Sequence, residues 1–160
     1  MVFVPVMDDE HKEIFESLAE LQAALAEGTP AADIRRLTQV LIGRIQNHFA
    51  HEERLMRAAR YGSMQWHKKS HDAARKRVGQ FVKRIEEGEA PAAPELIEYL
   101  TAWLNEHMRL ADMMLGAFLR NHTRSMYKMT FQAGTKAADA CAWVDADGQA
   151  FDPSATHTGC

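Results

Sequence analysis

Residues 48–71 read HFAHEERLMRAARYGSMQWHKKSH, and this stretch decides the fold. His48 and Glu52 stand four residues apart, as do His67 and His71, so each pair projects from one face of a helix. Tyr61-Gly62 breaks the chain between them, and Ser63 can cap the helix that carries the second pair. Two helices joined by a tight turn would therefore face each other with a pair of donors on each inner face. On the helix of the first pair, the stripe Leu37, Leu41, Ile45, His48, Glu52 and Leu55 advances in steps of three and four. Two polar residues interrupt its apolar face, at a cost unless something inside satisfies them.

Upstream, DDEHKEIF (residues 8–15) puts His11 on the same face as Ile14, Phe15, Leu18, Leu21 and Leu25. This helix is expected to start at Asp8 as its cap and to stop near Glu27 at Gly28, with Thr29 then capping the second helix. The third is expected to end near Gly88. Downstream, a helix from about Pro94 to Arg120 carries Ile97, Leu100, Leu104, His107, Ala111, Leu115 and Phe118, with Asp112 within it. Short loops between four such helices predict an all-α, up-down-up-down bundle over residues 1–121 with an internal dinuclear metal site. Residues 122–160 are rich in Ala, Gly, Thr and Asp, and are expected to form a loosely ordered tail or a short hairpin at Asp147-Gly148. Asp145 and Asp147 resemble the start of a calcium loop, but Thr156 stands where its glutamate belongs.

The chain has 160 residues, 46% of them hydrophobic and 26% charged, with a net charge of −3. This is ordinary for one globular domain and gives no nucleic-acid signature. No apolar run is long enough for a membrane helix, and MVFVPVMDDE makes a poor signal peptide. A cytoplasmic protein is the default reading. Cys141 and Cys160 match no thiolate metal spacing and read as free thiols. The outer face of the third helix, with Lys68, Lys69, Arg75, Lys76, Arg77, Lys83 and Arg84, reads as a solvated face or as a docking surface for an acidic protein partner. Glu53 lies off the ligand stripe and is expected to face solvent. His51, His122 and His157 fit no inward register, and Met56, Met108, Met113 and Met114 read as core fillers.

The candidate donors are five histidines and two carboxylates: His11, His48, Glu52, His67, His71, His107 and Asp112. They are too many for one tetrahedral zinc, and HKKSH lacks the glutamate of a zinc-protease helix. Two metals fit better. If both carboxylates bridge, three histidines complete one metal, and the two left for the other leave it a vacant position. Imidazole with carboxylate suits iron without excluding manganese, zinc or cobalt. His107 and Asp112 are five residues apart, about 140° around an ideal helix. Periodicity alone does not choose Asp112 over Glu106. Either the two side chains straddle the inward seam, or a π-type bulge brings them together.

DDEHKEIF, HFAHEERLM, HKKSH and WLNEHMRLAD together resemble the four ligand segments of the bacterial hemerythrins, in order and spacing, over about residues 8–120. The resemblance implies two iron ions, cycling between Fe2+ and Fe3+, with a bridging oxo or hydroxo group. It makes Asp112 the second carboxylate bridge, gives His67, His71 and His107 to the saturated iron, and gives His11 and His48 to the open one. It also implies reversible dioxygen binding at the open iron, for oxygen storage, transport, delivery or sensing rather than catalysis. Leu104 resembles the family's shielding residue, with Trp103 and Phe49 as neighbours of the oxygen pocket or simply core. The chain departs from the usual pattern in its short arm before His11, in Tyr61-Gly62 where Tyr-Pro is frequent, and in its tail. A ferritin-like ferroxidase is disfavoured because the chain has no Glu-x-x-His pair. The alternatives are a diiron enzyme consuming peroxide or nitric oxide, and an oxygen or redox signalling module.

Overall fold

The computed structural model describes residues 1–132, 143–144 and 150–151, with side chains described through residue 123. Two compact units divide at Arg120, Met1–Arg120 and Asn121–Cys160. In the first, α1 (Pro5–Ala26), α2 (Ala31–Ala58) and α3 (Met64–Glu86) are followed by α4 (Ala92–His107). A π-helical turn, Met108–Asp112, joins α4 to α5 (Met113–Gln132). Contacts run α1 to α2, α2 to α3, α3 to α4 and α4 back to α1, closing an all-α, up-down-up-down four-helix bundle. In the second unit, β1 (Trp143–Val144) pairs antiparallel with β2 (Ala150–Phe151), Trp143 opposite Phe151. Cys141, Cys160, Asp145, Asp147 and His157 lie outside the described residues. Among the described residues no helix is long and apolar enough to cross a membrane.

The helix ends correct several boundaries. α1 starts at Pro5, three residues before Asp8, because proline at the first position needs no N–H partner. Asp8 turns its carboxylate to the arm instead, accepting the backbone N–H of Val2 (2.6 Å) and Phe3 (3.0 Å). Thr29 does not cap α2. Its N–H reaches back to the Ala24 carbonyl (3.0 Å), closing α1 around Gly28 at φ +70°, and Pro30 takes the cap position. α3 closes in the same way around Gly88, at φ +84°. α2 does so without a glycine: Arg60, at φ 52°, takes the left-handed position just before the Tyr61-Gly62 break. α4 starts at Ala92, since Pro94 is tolerated within the first turn. The last helix runs beyond Arg120 to Gln132.

Two apolar clusters flank a polar layer. Ile14, Leu18, Leu41, Ile45, Phe49, Val78, Leu100 and Leu104 belong to the larger cluster. Val2, Met7, Met56, Ala59, Tyr61, Leu115 and Leu119 form the smaller one. Along α1 the order is Met7, His11, Ile14, so the candidate donors form one slab between two hydrophobic ends. The arm seals the smaller cluster. Val2 is buried, Arg120 donates to its carbonyl, and the Arg120 guanidinium lies 5.5 Å from the Phe3 ring.

Candidate metal centre

Each helix delivers its donors by simple periodicity, and the last does so by breaking it. His48 with Glu52, and His67 with His71, project inward one turn apart on α2 and α3. Between His107 and Asp112 the backbone widens into the π-turn, which settles the two sequence alternatives in favour of a bulge. One extra residue per turn brings Asp112 back to the side that His107 faces. All seven side chains are buried, with Glu52, His67, His71 and Asp112 at 0% exposure.

The donor atoms fall into two groups that share both carboxylates: Glu52, His67, His71, His107 and Asp112, and His11, His48, Glu52 and Asp112. Within each, the candidate atoms lie within 4.8 Å of one another. In the first, the His107 Nε2 is 3.0 Å from the Nε2 of both His67 and His71. In the second, the Nε2 atoms of His11 and His48 are 3.1 Å apart, and His11 Nε2 is 3.1 Å from Asp112 Oδ2.

Acceptors on the far ring nitrogens decide which way several imidazoles present their lone pairs. His48 Nδ1 donates to Glu10 Oε2 (2.9 Å), while His51 Nδ1 donates to Glu10 Oε1 (2.6 Å). His71 Nδ1 faces Glu53 Oε1 (3.3 Å), and Arg75 holds that oxygen at 2.9 Å. His107 Nδ1 faces Ser70 Oγ at 3.2 Å. A proton fixed on Nδ1 leaves the Nε2 lone pair pointing into the site. Glu53 is thus not solvent-facing, as its off-stripe position suggested, but buried at the α2–α3 seam. Glu10, Glu53 and Ser70 escaped the sequence reading. The available signal was a carboxylate directly beside a donor, in Glu10-His11 and Glu52-Glu53.

Aromatic rings brace the first group. Phe49 stacks on His71 (3.9 Å between centroids, 9° between planes), and Trp103 stacks on His107 (4.3 Å, 16°). Leu104 is buried in the larger apolar cluster.

Burial raises the Asp112 carboxyl, but His107, His11 and His67 outweigh it and hold the group well below its ordinary range. Burial likewise raises Glu52, and His67 and His71 reverse the effect. Glu10 is held at about 2, burial being outweighed by His48 and His51. Burial lowers His67, yet Asp112 and Glu52 lift it to about 9. His48 also rises against burial, through Glu10, Glu52 and Asp112, whereas burial dominates at His71 and lowers it.

The donor set fits metal cations. With Nδ1 of His71 and His107 carrying the protons, two Nε2 lone pairs face each other at 3.0 Å. Both Glu52 oxygens and Asp112 Oδ1 are buried without a hydrogen-bond partner among the described residues. An orphaned buried polar group costs about 1–3 kcal/mol, and more when charged. Cations at the two foci would satisfy nitrogens and oxygens together, displacing protons from the histidines.

A four-helix bundle enclosing a nitrogen-rich, carboxylate-linked candidate cation site defines the class. The chain belongs to the hemerythrin family of diiron oxygen-binding proteins: the model of the hemerythrin HHE cation binding domain matches residues 2–119. The bacteriohemerythrin of Pseudomonas aeruginosa (strain PAO1) is 35% identical over 109 residues, covering 68% of this chain and 70% of that protein. The bacteriohemerythrin of Stenotrophomonas maltophilia is 31% identical over 119 residues, covering 74% and 76%. The myohemerythrin of Sipunculus nudus is 27% identical over 111 residues, covering 69% and 81%. No solved structure gives a significant match.

Proposed function

We propose that this chain is a cytoplasmic oxygen binder that holds two irons in the slab and takes up dioxygen reversibly on the two-histidine side, for storage, delivery or sensing. The carrying observation is the asymmetry of the donor groups. Both share Glu52 and Asp112, but one has three histidines and the other two. The second focus is therefore short of one protein donor, which is where a small ligand would bind. In this reading His67, His71 and His107 hold one iron, His11 and His48 the other, and Glu52 and Asp112 serve both.

The iron pair, when bound, supplies the electrons for reversible uptake of dioxygen. The chain supplies position and dryness. Glu10, Glu53 and Ser70 orient the imidazoles. Phe49, Trp103 and Leu104 place apolar surface around the slab, disfavouring water and anions there. The neutral imidazole majority, with only two carboxylates, favours binding over oxidation chemistry. Lys68, Arg75 and Arg84 are paired with Asp72, Glu53, Glu89 and Glu95, which favours a solvated α3 face over a docking site for an acidic partner.

The test is the visible spectrum of anaerobically reduced, iron-loaded protein before air, after air and after oxygen removal. A charge-transfer band that appears with air and vanishes on deoxygenation supports the reading. Irreversible conversion to an oxidised form, with rapid turnover of peroxide or nitric oxide, would replace it with an enzymatic one. His107→Ala is expected to abolish loading of two irons per chain, and unchanged metal content would sink the site assignment.

A further inference from the structure

Between α2 and α3 lies a groove with a cavity of about 180 Å³. Its walls are Ile42, Ile45 and Phe49 from α2 and Ala74, Val78 and Gly79 from α3, and it reaches Leu100, which is 0% exposed. The groove exists because α3 presents small residues along this seam. A Cβ at Gly79 would meet nothing within 4 Å. Gln39, Gln46 and Arg75 are its polar lining.

We propose that this groove is the access cavity for a small uncharged gas, dioxygen in the first instance, which reaches the candidate metal slab past the Phe49 ring. The proposal rests on the oxygen-binding reading and adds the route. Three observations carry it. The walls are mostly apolar, and apolar surface holds water poorly while suiting a xenon-sized guest. The volume is below that of an ordinary organic ligand site. Above all, one buried side chain separates the groove from the site. Phe49 lines the groove, stacks on His71 at 3.9 Å, and stands 6.1 Å from the His48 ring of the two-histidine group. A rotation of this ring would join groove and slab. The Arg75 guanidinium, 5.2 Å from the same ring and bonded to Glu53 and Asp72, limits that rotation without presenting a free charge to the guest.

The rival route is a more polar cleft of about 230 Å³ lined by Trp66, Ser70, Trp103, Glu106, His107 and Leu110. It touches His107, and its lining, with Ser70, Glu106 and His107 among few apolar residues, suits water better than a gas.

Gly79→Phe tests the proposal, with Gly79→Ala as control. Gly79 is exposed on α3, and replacing a helical glycine favours the helix, so neither variant threatens the fold. Crystals of the iron-loaded protein under xenon pressure are expected to show xenon in the groove for wild type and Gly79→Ala, and none there for Gly79→Phe. Iron content should be equal in all three. Stopped-flow mixing of the reduced protein with dioxygen should give association and dissociation rates both about tenfold lower in Gly79→Phe, with equilibrium affinity unchanged. A wild-type groove without xenon overturns the proposal. So does a Gly79→Phe protein that loses the xenon yet keeps both rates, which would assign access to the Trp66–Trp103 cleft or elsewhere. If the loaded protein fails to bind dioxygen reversibly, the functional reading falls instead. Xenon occupancy and nitric oxide association rates in the same variants then decide the route by the same criteria.

Discussion

Glu10→Gln and Glu53→Gln should weaken different metals. Glu10 accepts two imidazole protons, from His48 at 2.9 Å and His51 at 2.6 Å, and serves only the two-histidine group. Glu53 accepts from His71 at 3.3 Å and serves only the three-histidine group. A glutamine at position 10 offers one oxygen to two N–H donors and turns its amide hydrogens toward a ring nitrogen. His48 then loses either its Nδ1 acceptor or the preference for a proton on Nδ1, and its Nε2 lone pair is no longer fixed toward the slab. Losing such a partner usually costs 10- to 100-fold in metal affinity, or about 1.4–2.7 kcal/mol. The Glu10 side chain is 27% exposed, so water can partly replace it and the lower half of that range applies. Glu53 is 10% exposed and also binds Arg75, which places Glu53→Gln in the upper half. The assay is chelator competition with cobalt(II) or iron(II), fitted as two sites, with thermal melts of the metal-free variants to confirm folding. Each substitution should weaken one equivalent of metal and spare the other. Equal loss at both sites, or at neither, would refute the assignment of one carboxylate to each focus.

Three further outcomes rest on local geometry. Arg60→Gly should stabilise the protein by about 1 kcal/mol, since an L-residue pays about 1–2 kcal/mol in the left-handed region that Arg60 occupies at φ 52°; chemical denaturation checks it, and a loss of stability would contradict the helix-end geometry. Gly116→Ala would set a Cβ 2.5 Å from the Val2 carbonyl oxygen, so the arm must shift, at about 1–3 kcal/mol for an overpacked site; a lower melting temperature and faster proteolysis of the arm are expected, and wild-type values for both would sink the packing described. His67, raised from 6.5 to about 9, contributes stability to the metal-free protein that is fully present below pH 6.5 and lost as pH rises through 9. Metal must displace that proton, so metal affinity should climb over the same window, and a flat profile in both titrations would remove His67 from the site.

What could be read from the sequence was whatever a 3.6-residue period preserves. His48 and Glu52, like His67 and His71, lie one turn apart on regular helices, so the pattern alone places them inward. Their partners were hidden for a geometric reason. Glu53 sits about 100° around α2 from Glu52, which on an isolated amphipathic helix means solvent. In the bundle that direction meets Arg75 of α3, and the residue is buried. A stripe read from one helix cannot see the neighbour that covers its edge. Thr29 was misplaced on related grounds: a hydroxyl before a proline resembles an opening cap, while its backbone N–H is already committed to closing α1.

Asp112 poses the sharper case, because here the fold departs from the period that makes helices legible. On a regular α-helix, His107 and Asp112 would diverge by about 140°, and only one could face the slab. Shortening the spacing to four residues would bring both inward without any bulge. The π-turn achieves the same facing with one residue more, and it turns Leu110, 47% exposed, outward. Beyond it, Leu115 and Leu119 resume the core phase in the smaller apolar cluster, so the insertion is absorbed locally rather than rotating α5. No residue type marks this switch from i+4 to i+5 bonding, since Met108, Arg109, Leu110 and Ala111 are all ordinary helix formers. The widened turn is therefore not written in its own residues; it sets Asp112 Oδ1 3.1 Å from His107 Nε2 and 3.2 Å from His67 Nε2, a convergence of donors that a regular helix would forfeit.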